Sequence, residues 1–300
     1  MNASLVDTIE STLRETLPES VDVDTTRSVG GGCINEAFDV RLQDGRRFFV
    51  KANSLERRRM FETEVAGLTA LADSKTIRIP EVVAQGECVK SHRSFLVLEW
   101  IESGRAKPSS DFDFGASLAR LHQASSCHRF GFDSHNFLGS ADQSNSWRDD
   151  WVEFWCEERL GFQFRWAQKQ GYGNREFNRL AEQVLANTSN LIAEPNEPPS
   201  LIHGDLWSGN YLYDTRGSAV IFDPAVYYGR REAELAMTRL FGGFGADFYR
   251  GYEEIWPLAE GSERRIEFYQ LYHILNHLNL FGASYLQQAL GLMERYAGRS

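Results

Sequence analysis

The chain has 300 residues, of which 42% are hydrophobic and 25% are charged, values typical of a globular protein with one large domain or two lobes. Its net charge of −10 disfavours nucleic acid or an anionic membrane as the main partner, because both require clustered Lys and Arg. The four cysteines form no CxxC pair, so neither a zinc site nor a disulfide framework is predicted.

The N-terminal segment predicts a helix and not a targeting signal. Leu5, Ile9, Leu13 and Leu17 recur at helical spacing, and Pro18 ends the helix. Acidic residues stand where a signal peptide needs a basic start, and no stretch approaches the roughly 18 apolar residues of a membrane span. We therefore expect a soluble, cytoplasmic protein.

The next segment, up to about residue 101, is mostly strand-like. "AFDVRL" and "RRFFVKAN" flank the turn "QDGR", which predicts a hairpin with Gly45 at its tip. A helix follows, with Phe61, Val65, Leu68 and Ala72 on one face. "IPEVVAQGEC" and "SFLVLEWI" then predict two further strands.

The second part of the chain is mainly helical. "DFDFGASLARLHQ" predicts a helix with Asp111 or Asp113 as its N-cap. We expect an α+β fold with an N-terminal lobe over 1–101 and a C-terminal lobe over 102–300, separated by the polar stretch "ESGRAKPSSD". Further helices are predicted near 147–170, 174–193, 231–256 and 263–297.

Two features of the N-terminal lobe are suited to holding phosphates. Gly30, Gly31 and Gly32 precede a strand, and glycines let backbone N–H groups approach a phosphate closely, although such turns are more often purely structural. Lys51 ends the strand "FFVK", and Glu64 lies on the following helix. A buried Lys–Glu pair would hold the ammonium towards an ATP phosphate, whereas a lysine at a strand end is usually a surface residue.

The motifs "HGDLWSGN" and "FDP" decide between these readings. Asp205 precedes Asn210 by five residues, and Asp223 follows a short hairpin, as in the catalytic loop and metal site of a kinase. The sequence therefore predicts a magnesium-dependent phosphoryl-transfer centre, with catalytic loop 203–210. No arginine precedes Asp205 and no APE motif follows Asp223, so we expect a small substrate and not a protein docked as in protein kinases. His203 is expected to brace the loop and not to act as a base.

Motifs along the chain, including "GGGCINEAF", "FFVKAN", "LIHGDLWSGN", "FDPAVYYG", "LFGGF" and "YQLYHILNHLNLFG", closely resemble those of the fructosamine-3-kinase and ketosamine-3-kinase family, from about residue 28 to 285. The resemblance implies the two-lobed protein-kinase-like fold shared with aminoglycoside phosphotransferases. It also implies ATP-dependent phosphorylation of the sugar 3-hydroxyl of ketosamines, which destabilises the adduct and so removes sugar from glycated amines. The chain resembles the bacterial-type members of this family, which implies a preference for ribulosamines or erythrulosamines over fructosamines.

The residues and the resemblance together assign roles. Asp205 accepts or orients the proton of the attacking hydroxyl, Asn210 and Asp223 hold Mg²⁺, and Lys51, positioned by Glu64, contacts ATP. Cys33, beside the glycines, is either a redox-sensitive thiol or an ordinary loop residue. Backbone groups of Glu99, Trp100 and Ile101 are expected to bind adenine, and the side chains of Trp207, Asp149 and Asp150 are candidates for substrate binding.

Two other functions are compatible with these motifs. A kinase for another small alcohol, such as an aminoglycoside or choline, would use the same phosphate chemistry. A non-catalytic nucleotide-binding scaffold is disfavoured by the complete set of Lys51, Asp205, Asn210 and Asp223. The expected partners are ketosamines or glycated amines and proteins, and the chain is expected to be a monomer or a homodimer.

Overall fold

The structure is a computed structural model that describes residues 1–30, 34–124 and 127–298. Its first lobe contains a five-stranded antiparallel sheet with strand order β1-β2-β3-β5-β4. In chain order the elements of this lobe are α1 (Ala3–Thr16), β1 (Val23–Val29), β2 (Glu36–Leu42), β3 (Arg47–Ser54), α2 (Arg58–Asp73), β4 (Val82–Cys88) and β5 (Arg93–Glu99).

Helix α1 packs against β4 and shares the core of the sheet. Leu5, Ile9 and Leu13 are buried, as their spacing predicts. The side chain of Asn2 caps the helix by accepting a hydrogen bond from the N–H of Leu5 at 2.9 Å. The helix ends at Thr16, two residues before Pro18, so the predicted helix is confirmed except that Leu17 lies beyond its end in an extended conformation.

The predicted hairpin and the helix that follows it are also confirmed, with one correction. β2 and β3 pair through the turn that carries Gly45, whose φ of +90° is a conformation that glycine adopts without strain. Helix α2 buries Phe61 and Leu68 as predicted. The prediction for Ala72 was wrong, since Ala72 is exposed and Leu71, three residues after Leu68, takes the inward position.

The second lobe is mainly helical, with short two-stranded antiparallel pairs β6–β7, β8–β11 and β9–β10. Its elements are α3 (Ser110–Ala124), β6 (Asn136–Leu138), β7 (Ala141–Gln143), α4 (Trp151–Phe154), a π-helical segment (Trp155–Leu160), α5 (Gly161–Lys169), α6 (Arg175–Ile192), β8 (Ser200–Ile202), β9 (Tyr211–Tyr213), β10 (Ala219–Ile221), β11 (Tyr227–Gly229), α7 (Arg231–Thr238), α8 (Ala246–Ile255), α9 (Ser262–Phe281) and α10 (Leu286–Tyr296). Helices α5, α6, α7 and α10 pack around α9, which is therefore buried over most of its length.

Glycines divide two segments that were predicted as single helices. The segment 231–256 forms α7 and α8, separated by a loop in which Gly242 has a φ of +94° and Gly243 a φ of +61°. The segment 263–297 forms α9 and α10, separated at Gly282, also with a φ of +94°. A positive φ ends a right-handed helix, and glycine adopts it at little cost. The apolar pattern predicted the helical content but missed both breaks.

The start of α3 also differs from the prediction. The helix begins at Ser110, so Asp111 and Asp113 lie in its first turn and neither is the N-cap. Carboxylates in the first turn are favoured by the helix dipole, which explains the acidic signal there. The hydroxyl of Ser110 accepts a hydrogen bond from the N–H of Lys107 at 2.8 Å, and Phe114, Leu118 and Leu121 form the buried face of α3.

The lobes are joined by the segment between β5 and α3. Its Gly104 N–H donates to the carbonyl of Tyr213 at 2.7 Å, so the connection lies along hairpin β9–β10. The predicted boundary between residues 101 and 102 falls within this connection and remains a prediction. In the described parts of the chain, every helix is too short or too polar to span a lipid bilayer.

Candidate active site

Asn210 and Asp223 lie at the open end of hairpin β9–β10. Tyr211 pairs with Ile221 in the hairpin register, and the N–H of Phe222 donates to the carbonyl of Asn210 at 3.1 Å. Asp223 adopts a φ of +58°, a left-handed conformation that is uncommon for a residue with a side chain and is concentrated at functional sites. The hairpin therefore brings together the two residues predicted to bind the metal.

Lys51 connects the two lobes through its ammonium group. From β3, its Nζ donates to Oε1 of Glu64 on α2 at 2.6 Å and also to Oδ1 of Asp223. The Lys51 side chain is 7% exposed, whereas that of Asp223 is 43% exposed and faces solvent. The predicted pairing with Glu64 is present, and Asp223 joins it.

The charges of this cluster follow from burial and proximity. Burial works to lower the pKa of Lys51, but the carboxylates of Asp223 and Glu64 outweigh it and raise this pKa above its ordinary value. Burial raises the pKa of Glu64 to about 6, although the Lys51 ammonium acts in the opposite direction. Lys51 is therefore a cation at neutral pH, which its predicted contact with a phosphate requires.

Asp205 is held in place by Asn210. The Asn210 Nδ2 donates to the Asp205 carbonyl at 2.8 Å and to Asp205 Oδ2 at 3.1 Å, which leaves the amide oxygen of Asn210 available to a metal. Burial, followed by the charge of Asp223, raises the pKa of Asp205 well above its ordinary value, and the hydrogen bond from Asn210 opposes this shift. A raised pKa makes Asp205 a stronger proton acceptor once it is ionised.

The donor set of this site fits Mg²⁺. This ion prefers oxygen ligands and is usually bound by one or two carboxylates together with substrate phosphates, not by a cage made only of protein groups. The carboxylate of Asp223 and the amide oxygen of Asn210 supply two such ligands. Across the described residues, no group of three or more His, Cys, Asp or Glu side chains forms a separate metal cage.

His203 is buried and braces the catalytic loop, as expected. Its Nε2 lies 2.9 Å from the carbonyl oxygen of Phe222, and its Nδ1 accepts a hydrogen bond from the N–H of Asp205 at 3.3 Å. Burial lowers the pKa of His203, because it disfavours the imidazolium. The ring therefore serves as a neutral link between the catalytic loop and the strand end before Asp223.

Glu234 on α7 is a further contributor that the sequence reasoning missed. Its buried carboxylate accepts hydrogen bonds from the backbone N–H of His203 and from that of Gly204, the latter at 3.2 Å. His122 Nε2 lies 3.9 Å from this carboxylate, and His122 Nδ1 lies 2.8 Å from the hydroxyl of Tyr252. Helix α7 thus fixes the backbone of the catalytic loop through the carboxylate of Glu234. The only available signal was the acidic pair inside the otherwise apolar motif "EAELAM".

The structure narrows the adenine contacts predicted for Glu99, Trp100 and Ile101, which form the hinge between the lobes. The N–H of Glu99 donates to the carbonyl of Glu81 at 2.8 Å, so this N–H is not free for adenine. The indole of Trp100 lies under the guanidinium of Arg47, 3.5 Å from the ring centroid, which is a cation–π contact. Adenine binding by the Glu99 carbonyl and by the backbone of Trp100 and Ile101 remains a prediction.

The Gly-rich segment is only partly described. Gly30 follows β1 and is exposed, with open space where a side chain would begin. Gly31, Gly32 and Cys33 lie outside the described residues. The antiparallel pairing of β1 with β2 shows that this segment connects neighbouring strands, and its phosphate-binding role remains a prediction.

The three candidate substrate residues differ in their surroundings. Trp207, on the catalytic loop, is 39% exposed, which is unusual for an indole and leaves its surface open to a ligand. Asp149 pairs with Arg129 at 2.7 Å, and Asp150 caps α4 by accepting a hydrogen bond from the N–H of Glu153 at 2.7 Å. These local contacts account for both acids. The indole of Trp207 packs over Gly209, where a β-carbon would clash with the ring, and the rest of the side chain is exposed.

Replacing the buried cation gives a first prediction. We expect Lys51→Met to lower the free energy of unfolding by about 3 kcal/mol, because Glu64 loses its partner in a buried site. Without the ammonium, burial raises the pKa of Glu64 further. When the pKa of a carboxyl is higher in the folded than in the unfolded state, the free energy of unfolding falls as the pH rises. The destabilisation caused by Lys51→Met should therefore be larger at pH 8 than at pH 5. Denaturant unfolding at both pH values measures it.

The matched control is the double variant Lys51→Met/Glu64→Gln. It removes the titrating carboxyl, so the extra loss at pH 8 should disappear. A double variant with the same pH dependence as Lys51→Met would show that Glu64 is not the group responsible.

Comparisons with known proteins show the family of the chain. The family model described as "Fructosamine kinase" matches residues 5–298. A Synechocystis protein named "Probable ketoamine kinase" is 42% identical over 289 residues, covering 96% of this chain and 95% of its own. The chain belongs to the fructosamine kinase family. An Arabidopsis thaliana family relative named "Protein-ribulosamine 3-kinase, chloroplastic" is 40% identical over 270 residues, covering 90% of this chain and 81% of its own.

Solved structures place the fold in the same family. A Haemophilus somnus protein provisionally named as a fructosamine-3-kinase superposes with a TM-score of 0.86 at 30% identity, covering 96% of each chain. An aminoglycoside phosphotransferase solved with streptomycin and ATP gives a TM-score of 0.64 at 14% identity, covering 98% of this chain and 96% of its own. The second likeness shows the fold alone. Together they confirm the predicted protein-kinase-like architecture of this fructosamine kinase family member.

Proposed function

We propose that the protein is an ATP- and Mg²⁺-dependent kinase that phosphorylates the 3-hydroxyl of ketosamine sugars. The observation that carries the proposal is the arrangement of Asp205, Asn210 and Asp223 beside the Lys51–Glu64 pair. Phosphoryl transfer needs little covalent chemistry from the protein, so positioning and charge stabilisation supply most of the catalysis.

The chain's own residues divide the work as follows. Asp205 orients the sugar hydroxyl and accepts its proton, and Asn210 keeps the Asp205 carboxylate in place. Asn210 and Asp223 hold magnesium, which neutralises phosphate charge when it is bound. Lys51, released from Asp223 and still held by Glu64, contacts the nucleotide phosphates.

The substrate class rests on the family and on the open indole at the catalytic loop. Relatives are named ketoamine kinase and protein-ribulosamine 3-kinase, which supports a sugar–amine adduct as the substrate. Trp207 provides an apolar wall next to Asp205 for the sugar ring. Because a 3-phosphoketosamine loses its sugar portion, the reaction would serve deglycation of amines and proteins. Cytoplasmic location and oligomeric state remain predictions.

The test is ATP consumption with Mg²⁺ on ribulose-lysine, fructose-lysine, kanamycin and choline. We expect turnover only on the two sugar–amine adducts, with phosphate on the 3-hydroxyl, faster for ribulose-lysine. Turnover on kanamycin or choline alone would contradict the substrate assignment. Nucleotide binding with no turnover on any of the four would favour the non-catalytic scaffold.

A further inference from the structure

A cleft between the lobes is lined by none of the residues of the candidate active site. Its volume is about 660 Å³, within the range of roughly 300–1,000 Å³ that is usual for small-molecule sites. Three segments line it, namely the α2–β4 connection (75–78), the start of α3 with the residues before it (107–117), and the turn of hairpin β9–β10 (214–219). Asp205, Asn210 and Asp223 are not among its lining residues.

The cleft carries an excess of positive charge in a chain whose net charge is −10. Arg78 forms ion pairs with Asp214 and Glu99, at 2.6 Å in each case. It therefore neutralises Asp214, which is the more buried of the two carboxylates. The other charged side chains that line the cleft are Lys75, Lys107, Arg216 and Asp113. Within the described ranges, Lys75, Lys107 and Arg216 have no carboxylate within ion-pair distance. Because Asp113 is the only acid that accompanies these three bases, the described surface of the cleft is net positive.

The floor of the cleft is fixed by hydrogen bonds. Asp214 Oδ1 accepts from the N–H of Arg216 at 2.9 Å and from that of Ser218 at 3.0 Å. The hydroxyl of Ser110 donates to the carbonyl of Gly217 at 2.5 Å, which ties the start of α3 to the hairpin turn. The stem of Lys107 packs over Gly217, where a β-carbon would come within 2.9 Å of it. The cations are therefore carried by a rigid base.

We propose that this cleft binds a small molecule bearing a phosphate group. Phosphate offers several strong acceptors and more than one negative charge, which suits several bases converging on one space. Hydroxyl groups of Thr76, Ser109 and Ser117 line the same space and add neutral donors. The site adjoins the turn of hairpin β9–β10, at the end opposite Asn210 and Asp223, and none of the residues assigned to nucleotide binding lines it.

Calorimetric titration with glucose 6-phosphate tests the proposal, with glucose as the neutral probe. Each titration is run on the full chain with and without a saturating non-hydrolysable ATP analogue and Mg²⁺. We expect glucose 6-phosphate to bind in both conditions and glucose not to bind. The triple variant Lys75→Ser/Lys107→Ser/Arg216→Ser should weaken binding by at least about tenfold, because charge-assisted hydrogen bonds to phosphate are lost.

The matched control is Lys90→Ser/Lys169→Ser/Arg264→Ser, which removes the same charge from exposed positions outside the cleft. It should keep wild-type affinity. Both triple variants should remain folded at the titration temperature, because all six side chains are exposed and the cleft variant loses only the packing of the Lys107 stem on Gly217. Equal weakening in the two triple variants, no binding in the wild type, or loss of binding when the nucleotide analogue is present would each overturn the proposal. The assay does not depend on turnover, so its outcome is independent of the proposed reaction.

Discussion

Asp205→Asn is expected to reduce kcat by about a thousandfold while leaving Mg²⁺–nucleotide binding within about twofold of the wild type. Asparagine keeps the size of the side chain, and its amide oxygen can still accept the hydrogen bond from Asn210. The variant loses the negative charge that accepts the proton of the attacking hydroxyl. Steady-state kinetics on ribulose-lysine and nucleotide titration measure the two effects separately.

Two further variants sharpen this test. Asp223→Asn should weaken Mg²⁺-dependent nucleotide binding as well as turnover, because Asp223 is assigned to the metal and contacts Lys51. Asp142→Asn removes the same charge from an exposed strand position and should leave both quantities unchanged. Retention of more than a tenth of the wild-type kcat by Asp205→Asn would remove Asp205 from its role as proton acceptor.

Glu234→Ala is expected to lower the free energy of unfolding by about 3 kcal/mol and to reduce kcat by at least tenfold. The first effect arises because two buried backbone N–H groups, those of His203 and Gly204, lose their acceptor. The second arises because these N–H groups fix the catalytic loop immediately before Asp205. Glu234→Gln keeps one acceptor oxygen and should recover more than half of both losses. Chemical denaturation and kinetics at a temperature where every variant is folded give the values.

Glu232 provides a matched control on the same helix. It is buried like Glu234, but its carboxylate binds the guanidinium of Arg265 through two hydrogen bonds of 2.7 Å. Glu232→Ala should therefore destabilise the fold comparably while leaving kcat within about twofold of the wild type. If it reduces kcat by the same factor as Glu234→Ala, then Glu234 acts through general stability and not through the catalytic loop.

The arrangement of the candidate active site could be predicted from the sequence because its residues are constrained by spacing. Asp205 and Asn210 lie on one loop, and a short hairpin separates them from Asp223, so local geometry determines their proximity. Lys51 and Glu64 lie on consecutive elements, and a buried lysine at a strand end requires a carboxylate nearby. These features follow from local structure and elementary electrostatics.

The remaining features depend on contacts between distant parts of the chain. Glu234 supports the catalytic loop from a helix that begins well after it, and nothing in "EAELAM" says which backbone groups its carboxylate meets. The breaks at Gly242 and Gly282 were missed because the apolar pattern continues on both sides of each glycine, and a glycine inside a helix is tolerated. The cleft between the lobes was missed because its basic residues come from three separate segments of the chain.

Hairpin β9–β10 has a consequence for how the chain can change in length. Its strands set the separation of Asn210 and Asp223, because Tyr211 pairs with Ile221 and the turn is closed around Asp214. A register shift of one residue would turn every side chain of a strand to the opposite face. Insertions or deletions within the strands should therefore abolish kinase activity, whereas extra residues between Thr215 and Gly217 should be tolerated. Within this hairpin, homologues are expected to vary in length only at its tip.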